Sequence, residues 1–93
     1  MTAMTETLAR KLTEALSPVR LDVIDDSHRH AGHAGARPGG ETHFRIDIVA
    51  SAFTGKARLE RHRLVYAALA TELAGTVHAL EISTRTPEEA GST

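Results

Sequence analysis

Six histidines and no cysteine set the chemistry that is open to this chain. His28, His30 and His33 lie close together in a glycine-rich stretch, and His78 stands apart in an apolar one. Neutral imidazole is the commonest metal ligand in proteins. Without a thiol, the chain offers no disulfide, no thiolate ligand and no cysteine nucleophile. We therefore expect any metal chemistry to run through imidazole nitrogen.

The clustered histidines permit three interpretations. They are either solvated side chains of a polar loop, or at least one of them is a metal ligand. All three, with a water molecule, could also complete a tetrahedral zinc or nickel site by themselves. A glycine-rich loop makes such a site costly to organise, so we rank it below a site to which the loop contributes one ligand.

The other two histidines fit structural roles. His62 follows Leu59 by three residues and precedes Tyr66 by four, which places all three on one face of a helix. We interpret His62 as a core histidine with hydrogen-bonded ring nitrogens. His43 alternates with Phe44 in a strand pattern, which predicts a surface position from which it could support a nearby metal ligand.

Hydrophobic periodicity predicts the elements that position these residues. Leu8, Leu12, Ala15 and Leu16 form the apolar stripe of a first helix. Phe44, Ile46 and Ile48 alternate with polar residues in the clearest strand. One face of the main helix is lined by Leu59, His62, Tyr66, Leu69 and Leu73, with Val65 and Ala68 beside it. Gly75 can cap this helix. In chain order we predict a helix over 5–16, strands over 19–25 and 42–50, a helix over 57–74 and a strand over 77–84.

The predicted order is αββαβ, an α+β fold in which two helices pack on one face of a three-stranded mixed sheet. The first two strands are expected to be antiparallel and joined by a long loop over 26–41, and loops of this length are usually functional or disordered. The length of 93 residues predicts one domain, residues 1–93, with a core of about 5–86 and frayed tails.

The charge balance speaks against strong bulk attraction to nucleic acid or membranes, since 11 basic and 12 acidic residues give a net charge of −1. No apolar run approaches a membrane span and no targeting signal is visible, so the expected location is the cytoplasm. No nucleophile set, phosphate-binding loop or zinc-protease motif is present, and we do not expect an enzyme.

One local basic cluster is an exception to this balance. It comprises Lys56, Arg58, Arg61 and Arg63. These residues could contact DNA phosphates, receive an acidic partner surface, or form an ordinary solvated helix face. Only three aromatic residues are available for base stacking, and no Gly-x-x-Gly clamp of the KH type lies between the helices, which weakens the DNA interpretation.

Three stretches, in their order and spacing, resemble the BolA family over about residues 8–87. They are Asp25-Asp26-Ser27-x-x-His30 with the glycine-rich loop and Glu41-Thr42-His43-Phe44; Phe53-Thr54-Gly55 with Leu59-x-Arg61-His62-Arg63-Leu64-Val65-Tyr66 and Leu69-x-x-Glu72-Leu73; and Val77-His78-Ala79-Leu80. Each stretch alone is a weak signal, whereas the second and third together are specific.

The resemblance implies a fold related to class II KH domains and a monothiol glutaredoxin as partner. In that family the two proteins form a heterodimer that can share a 2Fe–2S cluster. The BolA member supplies a histidine that opens the last strand, matched here by His78, and a second ligand from the loop, matched by His30. The glutaredoxin brings a cysteine and glutathione another thiol. Here the loop continues to His33, a rival second ligand, and the choice stays open.

A site of this kind suits a sensor or an adaptor. Histidine ligation raises the potential of a 2Fe–2S cluster, and it depends on pH because the ligand must be neutral. The leading hypothesis is therefore iron sensing or iron–sulfur cluster trafficking with a glutaredoxin. The competing hypothesis is a DNA-binding transcriptional regulator that uses residues 56–63. Both a monomer and a weak homodimer are compatible with the sequence.

Overall fold

A computed structural model of the chain describes residues 4–25, 43–75, 77 and 79–91. The first helix, α1, spans Met4–Leu16 and buries Leu8, Leu12 and Leu16, as their spacing predicts. Ala15, predicted to belong to the same stripe, is exposed. It ends at Ser17, whose N–H donates to the Thr13 carbonyl at 3.0 Å. Ser17 has a φ of 45°, a left-handed conformation that usually belongs to glycine at this position.

Three strands form one mixed sheet in the order β1–β2–β3. They span Arg20–Asp25 (β1), His43–Val49 (β2) and Ala79–Arg85 (β3). The central strand β2 is antiparallel to β1 and parallel to β3. The predicted mixed sheet, the antiparallel first pair and the α+β class are therefore confirmed.

The core lies between one face of this sheet and the helices. Phe44, Ile46 and Ile48 of β2 are all buried on that face, because alternate residues of a strand point the same way. The opposite face is charged: Asp22 of β1 and Asp47 of β2 are direct neighbours. Arg85 offsets this like-charge pair, since its Nη2 lies 3.0 Å from the Asp47 carboxylate.

After β2 the chain makes a 3₁₀ turn, Ser51–Phe53, which buries Phe53. Gly55 follows with a φ of 78°, so the turn predicted there is confirmed and requires a residue without a side chain. The main helix then begins at Arg58. Its N-terminus is capped by Glu60, whose carboxylate accepts the Ala57 N–H at 3.0 Å.

The main helix is not continuous as predicted but is divided at Leu69. Helix α2 spans Arg58–Ala68, and α3 spans Ala70–Ala74. Leu69 itself leaves helical geometry, with a φ of −110° and a ψ of 18°, while its side chain is fully buried. Gly75 caps α3, as predicted.

The expected frayed C-terminal tail is wrong for Pro87–Gly91, which form a short helix, α4. Thr86 and Glu89 cap it reciprocally: the Thr86 N–H donates to Glu89 Oε1 at 2.8 Å, and the Glu89 N–H donates to Thr86 Oγ1 at 3.1 Å. The Thr-Pro-x-Glu sequence is a capping box with proline at the first helical position, and this signal could have predicted the helix.

Candidate functional site

One edge of the sheet is where the chain segments that carry the candidate histidines attach. β1 ends there at Asp25, which pairs with Phe44, and β2 begins there at His43. Because β2 and β3 are parallel, β3 begins at the same edge, with Ala79 opposite His43. We call this edge, marked by Asp25, His43 and Ala79, the histidine edge.

The predicted ligands His30, His33 and His78 lie outside the described residues, as does His28. Their attachment points nevertheless limit their reach. His78 immediately precedes Ala79, and His30 follows Asp25 by five residues, a length of chain that spans at most about 18 Å. The topology therefore permits a ligand from the loop to approach His78 at the histidine edge.

The described part of the histidine edge does not hold a metal site by itself. His43 is half-buried there. Among the described residues, no group of three or more histidine, aspartate or glutamate side chains is arranged to bind a metal ion. A metal site at this edge would therefore need the histidines outside the described ranges.

The second candidate site is the basic cluster at the start of α2. Arg58 and Arg63 are exposed and Lys56 is half-buried. We call these three residues the basic face, and no ion pair between them and another described residue is found.

Arg61 was predicted to belong to this cluster, but the structure gives it a different role. Its side chain is only 14% exposed and forms a fork with the Glu89 carboxylate, with Nη1–Oε1 at 2.7 Å and Nη2–Oε2 at 3.2 Å. Its Nε donates to the Lys56 carbonyl at 2.8 Å and its Nη1 to the Thr84 carbonyl at 3.3 Å. Arg61 thus joins the turn before α2, the end of β3 and α4.

The predicted apolar face of the main helix is confirmed only in part. Leu69 is fully buried as predicted, but Leu59 and Tyr66 are 61% and 42% exposed. Val65, which the pattern places beside this face, is fully buried, so the buried side is shifted toward it. The residues on the buried side include Arg61, which periodicity of apolar residues cannot identify. It can face inward because Glu89 neutralises it.

His62 consequently lies at the margin of the core and not inside it. It is half-buried, and its ring meets that of Tyr66 edge to face, with 6.4 Å between the centroids. Partial burial, reinforced by the positive charge of Arg58, lowers the pKa of His62. The side chain is therefore neutral at neutral pH and adds no charge to the basic face.

A buried ion pair between α1 and α3 had no local signal in the sequence. Lys11 Nζ lies 2.6 Å from Glu72 Oε2, and the Glu72 side chain is only 8% exposed. The other carboxylate oxygen, Oε1, is buried without a hydrogen-bond partner among the described residues. The Glu72 carbonyl accepts the N–H of Val77 at 3.0 Å, so this pair braces the segment that leads into β3.

Comparison with known proteins agrees with this architecture. The sequence pattern of the family described as BolA-like protein matches residues 12–89. The chain belongs to the BolA family. BolA1 from Arabidopsis thaliana has a similar structure, with a TM-score of 0.85 and 43% identity, and the match covers 96% of this chain and 97% of that one.

Two curated BolA relatives differ in their names and lengths. BolA-like protein 1 of Homo sapiens is 54% identical over 79 residues, which are 85% of this chain and 55% of the relative. The chain thus spans about half the length of such relatives. The protein named DNA-binding transcriptional regulator BolA, from Escherichia coli (strain K12), is 45% identical over 84 residues, which are 90% of this chain and 76% of the relative.

No helix within the described ranges is long and apolar enough to cross a membrane.

Proposed function

We propose that this BolA-family chain is a non-enzymatic adaptor that binds a monothiol glutaredoxin and shares a 2Fe–2S cluster with it. His78 would be one ligand, and His30 or His33 the second. The observation that supports the proposal is the pairing of Ala79 with His43. His43 follows the loop that contains His30 and His33, and Ala79 follows His78, so both chain segments attach at the histidine edge. Iron sensing or cluster trafficking in the cytoplasm would follow.

The composition of the chain fits a shared site better than a private one. Two histidines cannot complete the coordination of a 2Fe–2S cluster, and the chain has no cysteine to add. The missing ligands are thiolates, which a glutaredoxin cysteine and glutathione provide. Histidine ligation gives such a cluster a higher reduction potential than thiolates alone.

The test is reconstitution of the chain with a monothiol glutaredoxin, glutathione, iron and sulfide, followed by visible absorption and circular dichroism. We expect a spectrum that differs from that of the glutaredoxin homodimer and that His78→Ala abolishes. His62→Ala, which alters a histidine of α2, is the matched control and should leave the spectrum unchanged. His30→Ala and His33→Ala then identify the second ligand. A spectrum identical to that of glutaredoxin alone would refute co-ligation.

A second candidate function is DNA binding through the basic face. Two observations favour it: Lys56, Arg58 and Arg63 have no ion pair within the described ranges, and one relative is named as a DNA-binding regulator. If these three residues each contact one phosphate, a plot of the logarithm of the DNA affinity against the logarithm of the salt concentration should have a slope of about −2.7.

Substitutions distinguish this candidate from unspecific attraction. Arg58→Ala and Arg63→Ala should each reduce that slope by about 0.9, because each removes one phosphate contact. Arg61→Ala should leave it almost unchanged, because Glu89 already occupies the Arg61 guanidinium. Equal effects of all three substitutions, or no binding at low salt, would speak against a DNA-binding basic face.

A further inference from the structure

Arg61 binds the Glu89 carboxylate in the way that an arginine binds an anionic ligand. Both terminal nitrogens of the guanidinium face the carboxylate, at 2.7 and 3.2 Å. Phosphate groups bind arginine with the same forked geometry. A phosphate group of a polyanion and the Glu89 carboxylate would therefore compete for the same two donors.

Glu89 is fixed in place for this contact by the cap of α4. Its Oε1 also accepts the Thr86 N–H at 2.8 Å, so two separate groups of the protein bind one carboxylate. These bonds lower the pKa of Glu89 to about 2, and the contact raises the pKa of Arg61. Both groups are thus fully charged at neutral pH.

The helix that carries Glu89 lies at the surface of the protein. None of the five residues of α4 is buried, and the Glu89 side chain is 49% exposed. Arg61, by contrast, has two other anchors, since its Nε donates to the Lys56 carbonyl at 2.8 Å and its Nη1 to the Thr84 carbonyl at 3.3 Å. If α4 were displaced, these bonds would keep the guanidinium beside the Lys56 backbone.

We propose that α4 is an autoinhibitory element, in which the Glu89 carboxylate competes with polyanions for Arg61 and withdraws one cation from the basic face. The inference rests on the second candidate function and concerns the regulation of that site. Loss of α4, or of the charge on Glu89, adds the Arg61 guanidinium to the cations that a polyanion meets beside Lys56.

The test compares the parent chain with Glu89→Gln in binding to a short random-sequence DNA duplex, measured by fluorescence anisotropy at several salt concentrations. Glutamine can still close the capping box, so the charge is lost while α4 is retained. We expect the salt slope to steepen by about 0.9, which corresponds to about a 3.5-fold larger change in affinity between about 50 and 200 mM salt.

Two further variants make the result specific to Arg61. Glu14→Gln is the matched control: it removes the same charge from an exposed Arg10–Glu14 pair on α1, and it should leave the slope unchanged. Arg61→Gln should have little effect in the parent chain but should cancel the gain in the Glu89→Gln background. Far-ultraviolet circular dichroism of each variant checks that the fold is retained.

The DNA-binding function and the autoinhibitory contact are refuted by different results. If the salt slope of the parent chain is smaller than three phosphate contacts require, DNA binding is refuted as the function. A steeper salt slope for Glu89→Gln than for the parent still supports the autoinhibitory contact. Identical slopes for the parent and Glu89→Gln, including the absence of binding by both, overturn the proposal. So does a gain for Glu89→Gln that survives Arg61→Gln.

Discussion

Residues of the same type differ sharply in their surroundings along the first turns of α2. Arg58 and Arg63 extend into solvent, whereas Arg61, between them in sequence, is largely buried against Glu89. A helix turns by about 100° per residue, so neighbours in sequence face different parts of the molecule. The number of basic residues in a stretch of sequence is therefore a poor measure of how many of them can contact a ligand.

The backbone conformation of Ser17 lowers the stability of the folded chain. Among the described residues Ser17 is the non-glycine residue with a positive φ, and this conformation costs about 1 kcal/mol for a residue with a side chain. We expect Ser17→Gly to raise the free energy of unfolding by roughly 0.5–1 kcal/mol in urea titrations. Ser51→Gly, at a position without a positive φ, is the control and should not stabilise. A neutral or destabilising effect of Ser17→Gly would contradict this explanation.

At the scale of elements, the helices are joined by charged contacts as well as by the core. Lys11 of α1 reaches Glu72 of α3, and Arg61 of α2 reaches Glu89 of α4. In each pair the more buried member occupies a position that an apolar residue would normally take. A buried charge of this kind is tolerated only while its partner remains in place.

Removal of Lys11 should expose this dependence. Lys11→Met keeps the aliphatic part of the side chain but leaves the buried Glu72 carboxylate without its cation. We expect a loss of roughly 1–3 kcal/mol in the free energy of unfolding, measured by urea titration. The double variant Lys11→Met/Glu72→Leu should recover most of it. If the double variant is as unstable as the single one, the loss comes from packing and not from the unpaired charge.

The contact between α2 and α4 predicts a dependence of stability on pH. Folding lowers the pKa of Glu89 from its ordinary value of 4.5 to about 2. The stabilisation is therefore complete above about pH 4.5 and is lost as the pH falls through about 2. The melting temperature of the parent should exceed that of Glu89→Gln by a constant amount at neutral pH, and the difference should shrink toward zero between pH 4.5 and 2. A difference that is independent of pH down to 2 would contradict the ion pair.

The sequence predicts the strands well and the faces of the helices less well. The alternation of Phe44 and Ile46 with polar residues identifies β2 because nothing interrupts it. The stripe of α2 was misplaced in part because Arg61 faces inward and is neutralised by Glu89 from a distant part of the chain. The cap of α4, in contrast, was visible in the sequence as Thr86 and Glu89.

The candidate ligands could be named from the sequence, but not their arrangement. His78 and the histidines of the loop are separated by more than forty residues, and only the parallel pairing of β2 with β3 brings their attachment points together. Two parallel strands require a long connection, which here contains α2 and α3. Hydrophobic periodicity does not reveal which strands such a connection places side by side.

At the scale of the molecule, function is distributed over separate surfaces. The histidine edge lies where β2 and β3 begin, whereas Arg61 and α4 lie where β3 ends, since Arg61 contacts the Thr84 carbonyl. The cluster-binding proposal and the DNA-binding candidate thus use opposite ends of β3. Variants of one surface can be used as controls for the other.

Cluster sharing can be tested by native mass spectrometry of the reconstituted complex. We expect a species that contains one copy of this chain, one monothiol glutaredoxin, one glutathione and one 2Fe–2S cluster, and that is absent with His78→Ala. A sample in which the cluster is found only in glutaredoxin homodimers, with this chain free beside them, would contradict it.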